Sequence, residues 1–258
     1  MKIRKIGQAG KLKFANGWIY GINPVFEALR SGRTIKELYI SSGRRQIPKW
    51  LIKEAENRDI PIKTAAQDFF DRNFGKSNQG VAAKVLARDY MPLNELIRNP
   101  FIKGETPLFV LLDCVEDPRN FGAILRTADA AGVHGVVIQS YRSVSLSADM
   151  SKVSAGAVEY VPVSIVPNIK NAIIEMKKND ILIIGAENNT EKSIWDIKLN
   201  IPLALVLGSE GKGLRQTVKE MCDELVEIPM CGKVNSLNVS VAAGIILFEI
   251  LRQRSINS

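Results

Sequence analysis

Three stretches hold the residue types best suited to chemistry. The stretch 205–214, LVLGSEGKGL, is an apolar run that opens into Gly208, Gly211 and Gly213 with Glu210 among them. The stretch 228–240, IPMCGKVNSLNVS, leaves a second apolar strand and enters a loop containing Gly232. Each reads as a strand whose C-terminal end releases a tight loop. In open α/β sheets a ligand sits outside the carboxyl ends of the strands, where backbone amides and carbonyls can reach it. Glycine at these four positions permits close approach and positive φ angles, so the two loops are expected to build one pocket. Two phosphate-binding patterns fail on spacing, because GSEGKG at 208–213 is neither GxxxxGK[ST] nor GxGxxG. The third stretch, 113–132, DCVEDPRNFGAILRTADAAG, places Asp117 and Pro118 in a turn, Asn120 at a helix N-cap and Gly132 at the helix stop. Gly122 and Arg126, four residues apart, share a face, so a planar or anionic group can approach the Arg126 guanidinium. Taken alone, Arg126 would instead pair with Asp129 on a solvated helix face.

The elements that position these stretches alternate. From residue 108 onward, apolar runs at 108–112, 135–138, 161–166, 181–185, 203–207 and 224–228 are separated by helical patterns after Asn120 and over 148–155, 169–178, from 214 and over 237–253. Continuous apolar strands between amphipathic helices predict a mostly parallel, Rossmann-like sheet covered on both faces. Upstream, short strands at 18–20, 36–40, 60–62 and 81–87 alternate with helices. The first of these helices runs from Asn23 as N-cap and Pro24 to about Arg30, the next over 48–57 with Trp50, Leu51 and Ala55 toward the core, and the last over 67–74. A loop rich in glycine and amides, 75–80, precedes the last strand and reads equally as an RNA grip or a surface turn. The expected organisation is a flexible basic arm over 1–16, a small α/β domain over 17–88, a linker over 89–105 with a short helix at 93–98, and a second α/β domain over 106–258.

Composition narrows the class. With 258 residues, 46% hydrophobic and 24% charged, the chain can bury one large or two ordinary cores. No apolar run reaches membrane-spanning length, and the basic start is followed by no apolar signal segment, so a cytosolic protein without a membrane partner is expected. Cys114, Cys222 and Cys231 lack paired spacing and read as small apolar residues. The single histidine, His134, falls at the N-terminal edge of a strand, opposite the expected pocket, and leaves no metal site or Ser-His-Asp triad. Net charge is +8, unevenly spread: residues 1–104 carry 20 Lys and Arg against 9 Asp and Glu, and residues 105–258 carry 15 against 18. The 1–16 tail and Arg44–Arg45 cluster base without acid. This is the footprint of a module that holds a polyanion beside a module that does chemistry. Trp18, Trp50 and Trp195 read as core or interface, with Phe14 and Tyr20 as weaker candidates for stacking on unpaired bases.

The three blocks at 113–132, 207–214 and 228–240, in that order, closely resemble the SpoU (TrmH) family of RNA ribose 2′-O-methyltransferases in the SPOUT superfamily. The stretch 21–29, GINPVFEAL, is similar to the start of the small RNA-binding domain found in members that methylate a guanosine of large-subunit ribosomal RNA. The resemblance implies a trefoil-knotted SPOUT catalytic domain behind that small domain, S-adenosyl-L-methionine as methyl donor, and a homodimer in which the second protomer approaches the active site. It places Asn120, Arg126, Glu210 and Asn238 at catalytic positions with Ser236 close by, and Gly208, Ile228 and Leu237 at donor-binding positions, with Leu207 and Met230 lining them. A guanidinium normally stays protonated, so Arg126 reads as a stabiliser of developing oxyanion charge and not as a base. Glu210 would hold the arginine or accept the proton. The alternatives are a transfer-RNA substrate, a non-catalytic RNA-binding assembly factor, which would not need Glu210 beside a polyanion, and a nucleotide-dependent oxidoreductase, which lacks its glycine fingerprint. No DNA partner is expected.

Overall fold

A computed structural model describes residues 17–42, 47–86, 89–141 and 154–256. The basic arm, Arg44–Arg45, Phe14 and most of the helix expected at 148–155 lie outside the described residues.

The first domain is a four-stranded sheet of β1 (Trp18–Tyr20), β2 (Ile35–Ser41), β3 (Ile62–Ala65) and β4 (Val81–Val85), ordered β1-β4-β2-β3. The β2/β3 pair is parallel and the other two pairs are antiparallel. Helices α1 (Ile22–Arg30) and α2 (Lys49–Asn57) supply Val25, Leu29, Leu51 and Ala55 to the core on one face. Helix α3 (Gln67–Phe74) closes the other face over a cluster of aromatic rings. Tyr20 is buried in that cluster, stacked on Phe74 at 5.1 Å between centroids, so it is not open to a base. Two local expectations are corrected. Helix α1 begins at Ile22 with Gly21 at its cap in a left-handed φ of 96°, and Asn23 lies inside its first turn. Trp50 faces outward and is 43% exposed, because Leu51 and Ala55 already fill the α2 core stripe. The loop 75–80 is knitted around Asn78, which is fully buried and donates to Asp71 and to the Gly75 carbonyl.

The second domain is a six-stranded sheet, every pair of it parallel, of β5 (Leu108–Leu112), β6 (Gly135–Gln139), β7 (Val163–Val166), β8 (Leu182–Ala186), β9 (Leu203–Leu207) and β10 (Glu224–Val226). Its order is β10-β8-β9-β5-β6-β7. Residues of β5, β6 and β9 are buried throughout, which is why the runs of β5 and β9 are apolar at every position and do not alternate, while β6 closes on the buried Gln139. The chain moves outward from β5 to β7, then crosses to the far side for β8 and returns to β9. The β5/β9 pair is therefore the switch point, where the departing loops diverge and leave a crevice. Helices α5 (Pro118–Ala130) and α8 (Val239–Ile256) cover one face, and α4 (Leu93–Ile102), α6 (Ile169–Lys177) and the short α7 (Gln216–Lys219) the other.

The segment expected as a linker is packed. Leu96 and Ile97 of α4 are 1% exposed in the core of the second sheet, and Met91 N donates to Val163 O at 2.9 Å. A Cβ on Gly135 would stand 2.4 Å from Leu96 Cδ1, so α4 rests directly on β6. The two domains also meet at a short 3-10 turn, Ala157–Glu159: Arg33 pairs with the buried Glu159, and Tyr160 Oη donates to Glu27. Burial, and then the Glu27 hydrogen bond, push the Tyr160 phenol up to about 12. His134 precedes β6; its Nδ1 accepts from Leu108 N at 3.0 Å and Nε2 stands 3.2 Å from Glu105, and burial lowers its pKa. Among the described residues no helix is long and apolar enough to cross a membrane.

Candidate active site

The loops leaving β8, β9 and β10 and the segment before α8 surround a cavity of about 460 Å³. After β9 the chain turns back on itself: Ser209 N donates to Gly213 O at 3.1 Å and Gly213 N to Ser209 O at 3.0 Å, with Gly211 and Gly213 at φ 78° and 65°. Gly208 is required by closeness and not by φ, since a Cβ there would lie 2.1 Å from the Gly213 carbonyl carbon. Gly232 has neither a positive φ nor any atom near a built Cβ, so the sequence expectation for it fails. Leu207, Gly208, Ile228, Met230 and Leu237 all line the cavity, as do Glu210 and Ser236.

At the mouth, three separate stretches converge. Asn120 Nδ2 donates to Glu210 Oε1 at 2.6 Å, and Asn238 Nδ2 donates to the same oxygen at 2.5 Å and to Asn120 Oδ1 at 3.1 Å. The Asn238 amide cannot turn, because its Oδ1 caps α8 by accepting from Ser240 N at 2.9 Å and Ser240 Oγ at 2.6 Å. Two N–H groups on one oxygen fix Glu210 as an acceptor through charge-assisted bonds. Its Oε2 has no protein partner among the described residues.

Two expectations about this cluster change. The N-cap of α5 is Asp117, whose side chain accepts from Arg119 N at 2.8 Å with Pro118 at the first helical position, and Asn120 sits within the first turn, 7% exposed. Arg126 is not held by Glu210. It is exposed and forms no hydrogen bond or ion pair among the described residues, with Asp129 included. Six residues after Asn120, it points about 120° round the helix from the amide cluster. Gly122, one turn before it, is buried.

The sequence reading missed the groups that hold this geometry. Asp113, fully buried at the end of β5, accepts from Arg215 N at 2.9 Å and Nε at 2.7 Å, while Arg215 Nη2 reaches Gln139 Oε1 at 2.8 Å. The Asp113 carboxylate raises the Arg215 pKa, and burial raises that of the adjoining Cys114. The ends of β5 and β6 and the loop after β9 are thereby tied at one point. Glu187, at the end of β8, accepts from Leu214 N at 3.2 Å and pairs with Lys219 at 2.8 Å. A charged residue directly after the fully apolar β5 was the available signal for Asp113; Arg215, eight residues beyond the end of β9, had no such signal. Arg215→Ala leaves a buried carboxylate without its cation and is expected to lower stability by about 3 kcal/mol, read by denaturant unfolding; Arg215→Lys should recover part of it, and an unchanged midpoint for Arg215→Ala would refute the clamp.

Comparison with known proteins gives one picture. The sequence description of the SpoU rRNA methylase family matches residues 107–248, and that of the RNA 2′-O ribose methyltransferase substrate-binding domain matches residues 18–91. A Bacillus subtilis (strain 168) protein, YacO, a candidate tRNA/rRNA methyltransferase of the TrmH family, is 40% identical over 239 residues, covering 92% of this chain and 96% of its own. The structure of the SpoU methyltransferase AviRb from Streptomyces viridochromogenes in complex with AdoMet superposes with a TM-score of 0.77 at 28% identity, covering 93% of this chain and 91% of AviRb. A TrmH/SpoU tRNA modifying enzyme of A. aeolicus matches at 30% identity with a TM-score of 0.53, over 64% of this chain and 85% of its own.

Proposed function

The chain belongs to the SpoU (TrmH) family and is an S-adenosylmethionine-dependent RNA ribose 2′-O-methyltransferase, and we propose that it acts in the cytoplasm on a guanosine of large-subunit ribosomal RNA. The observation that carries the catalytic reading is the Asn120–Glu210–Asn238 cluster at the mouth of the cavity. The donor set suits the cofactor: apolar walls from Leu207, Ile228 and Leu237 with glycine backbone between them match an adenosine that carries no phosphate. Bound there, S-adenosylmethionine supplies an electrophilic methyl group. Leu207, Gly208, Ile228, Met230 and Leu237 hold it, and Ser236 stands at the rim.

Protein groups do the rest. A ribose hydroxyl is a weak acid, so the reaction needs its proton accepted and its developing charge stabilised. Glu210 Oε2 accepts the proton while Asn120 and Asn238 fix the carboxylate. Arg126, without a protein partner among the described residues, places its positive charge beside the ribose oxygen or the adjoining phosphate. Ribosomal RNA is favoured over transfer RNA because the matched tRNA modifying enzyme spans only 64% of this chain, whereas residues 18–91 here match a substrate-binding domain that precedes the catalytic one. Methyl transfer from labelled donor to unmodified ribosomal RNA, mapped by resistance to alkaline cleavage, is the test. Alkali-resistant label on a guanosine supports the proposal, and label on transfer RNA alone overturns the substrate.

Two copies pair through α8. The run 241–248 in that helix carries no polar side chain, and Val241 and Phe248 are 49% and 50% exposed, with Ile245 between them half-buried. An open apolar face of this kind on a core helix fits a partner of the same chain. Because α5 packs along α8, this pairing brings a second copy to the side that carries Arg126. Light scattering should give a dimer for the natural chain and a monomer for Phe248→Glu; a monomeric natural chain at micromolar concentration would sink this arrangement.

A further inference from the structure

Trp50 faces outward at the seam between α1 and α2. Its ring meets Phe26 edge-on at 4.6 Å between centroids, with planes at 67°. The two rings wall a cavity of about 390 Å³ completed by Leu29, Arg30, Glu54 and Arg58. The charges around it are unequal in availability. Arg58 is committed, since its guanidinium pairs with Glu54 at 2.6 Å and donates to the Leu29 carbonyl, and this pairing also neutralises Glu54. Arg30 is exposed and forms no hydrogen bond or ion pair among the described residues. Lys49 and Lys53, exposed on α2, flank Trp50 in sequence. What remains open is an aromatic wall beside unneutralised positive charge.

We propose that this pocket takes an unpaired nucleobase of the RNA substrate, stacked on Trp50 with its edge toward Phe26, and with the neighbouring phosphate on Arg30. Single-stranded RNA is recognised by aromatic faces next to cations, and a folded duplex offers no free base to such a slot. A purely aliphatic groove would suit a protein helix; here the largest open wall is indole and the free charge is cationic, which favours the polyanion. The pocket is also held in place. On α1, Glu27 lies between Phe26 and Ala28 and accepts from Tyr160 of the catalytic domain, and a Cβ on Gly156 would stand 2.6 Å from Glu27 Cβ. The captured base therefore sits at a set position relative to α5, and it belongs to a nucleotide other than the one methylated. The remaining aromatic rings of this domain do not compete for the base, being packed under α3.

This inference rests on RNA being the substrate. The test uses the full chain and a labelled oligoadenylate, with an RNA duplex as comparison, and fluorescence anisotropy for the affinity. Trp50→Ala should weaken oligoadenylate binding about tenfold, the loss of one stacked base, Trp50→Phe should keep most of the affinity, and duplex binding should be unchanged. Donor binding by calorimetry, equal in all variants, shows that the catalytic domain is intact, and unchanged duplex binding with an unchanged circular dichroism spectrum shows that the small domain is folded. If the natural chain binds oligoadenylate and Trp50→Ala binds it equally well, no base is held on Trp50 and the proposal is overturned. If the natural chain binds neither RNA while still binding the donor, the RNA reading itself has failed, a result distinct from the first.

Discussion

Arg126→Ala should leave donor affinity unchanged and lower the methyl-transfer rate by about 10²–10³, the loss typical of one group that stabilises developing charge. The expectation follows from where the side chain stands. Arg126 is exposed, without a partner among the described residues, and off the Asn120–Glu210–Asn238 cluster, so its removal disturbs no packing and exposes no buried charge. Calorimetric titration of the donor together with single-turnover transfer to RNA separates the two effects. A parallel fall in donor affinity would show that the arginine shapes the cavity instead. The same variant tests the shared site. If Arg126 of one protomer serves the Glu210 of its partner, mixing inactive Arg126→Ala with inactive Glu210→Gln creates mixed dimers that each regain one complete site. With random pairing, activity should return to about a quarter of the natural enzyme. Failure to complement in a mixture shown to exchange subunits would confine each Arg126 to its own chain.

Gly208→Ala should have the largest effect on the cofactor. A Cβ at this position would lie 2.1 Å from the Gly213 carbonyl carbon, 2.3 Å from its oxygen and 2.4 Å from Leu214 N. All three are backbone atoms, so no rotamer change relieves the contact and the Ser209–Gly213 turn must open. That turn lines the cavity and carries Glu210, so donor affinity should fall by about a hundredfold, equivalent to about 2.7 kcal/mol. Gly232→Ala is the control. Nothing lies within 4 Å of its built Cβ, and donor binding should be unchanged. Tight donor binding by Gly208→Ala would mean that the turn is not the wall it is drawn as.

Much of the catalytic half was legible because parallel strands write themselves plainly. Strands β5 and β9 are buried on both faces, so their runs are apolar at every position, and the glycine-rich turn after β9 marks where that strand ends. Leu207, Gly208, Ile228 and Leu237, which line the cavity, were marked by the resemblance of their motifs to the family and not by periodicity, which reads Ile228 and Leu237 as core.

Other features were decided in three dimensions. Periodicity could place Asn120, Glu210 and Asn238 each near a loop, but their meeting on one carboxylate oxygen depends on β5 and β9 being neighbours, and sheet order is not a local property. Arg126 was joined to that cluster by its motif and separated from it by helix geometry. Leu96 and Ile97 lay between Pro92 and Pro100 and read as linker, since the proline signal is local while their burial against β6 is a contact across the fold. Trp50 read as core because an indole is largely apolar, yet Leu51 and Ala55 had already filled the stripe. The buried charge pair of Asp113 and Arg215 shows the same limit. The chain determined its strands, its turns and the chemistry available at their ends, because those follow from neighbours along the sequence; which of these groups face one another was decided by the packing of the sheet.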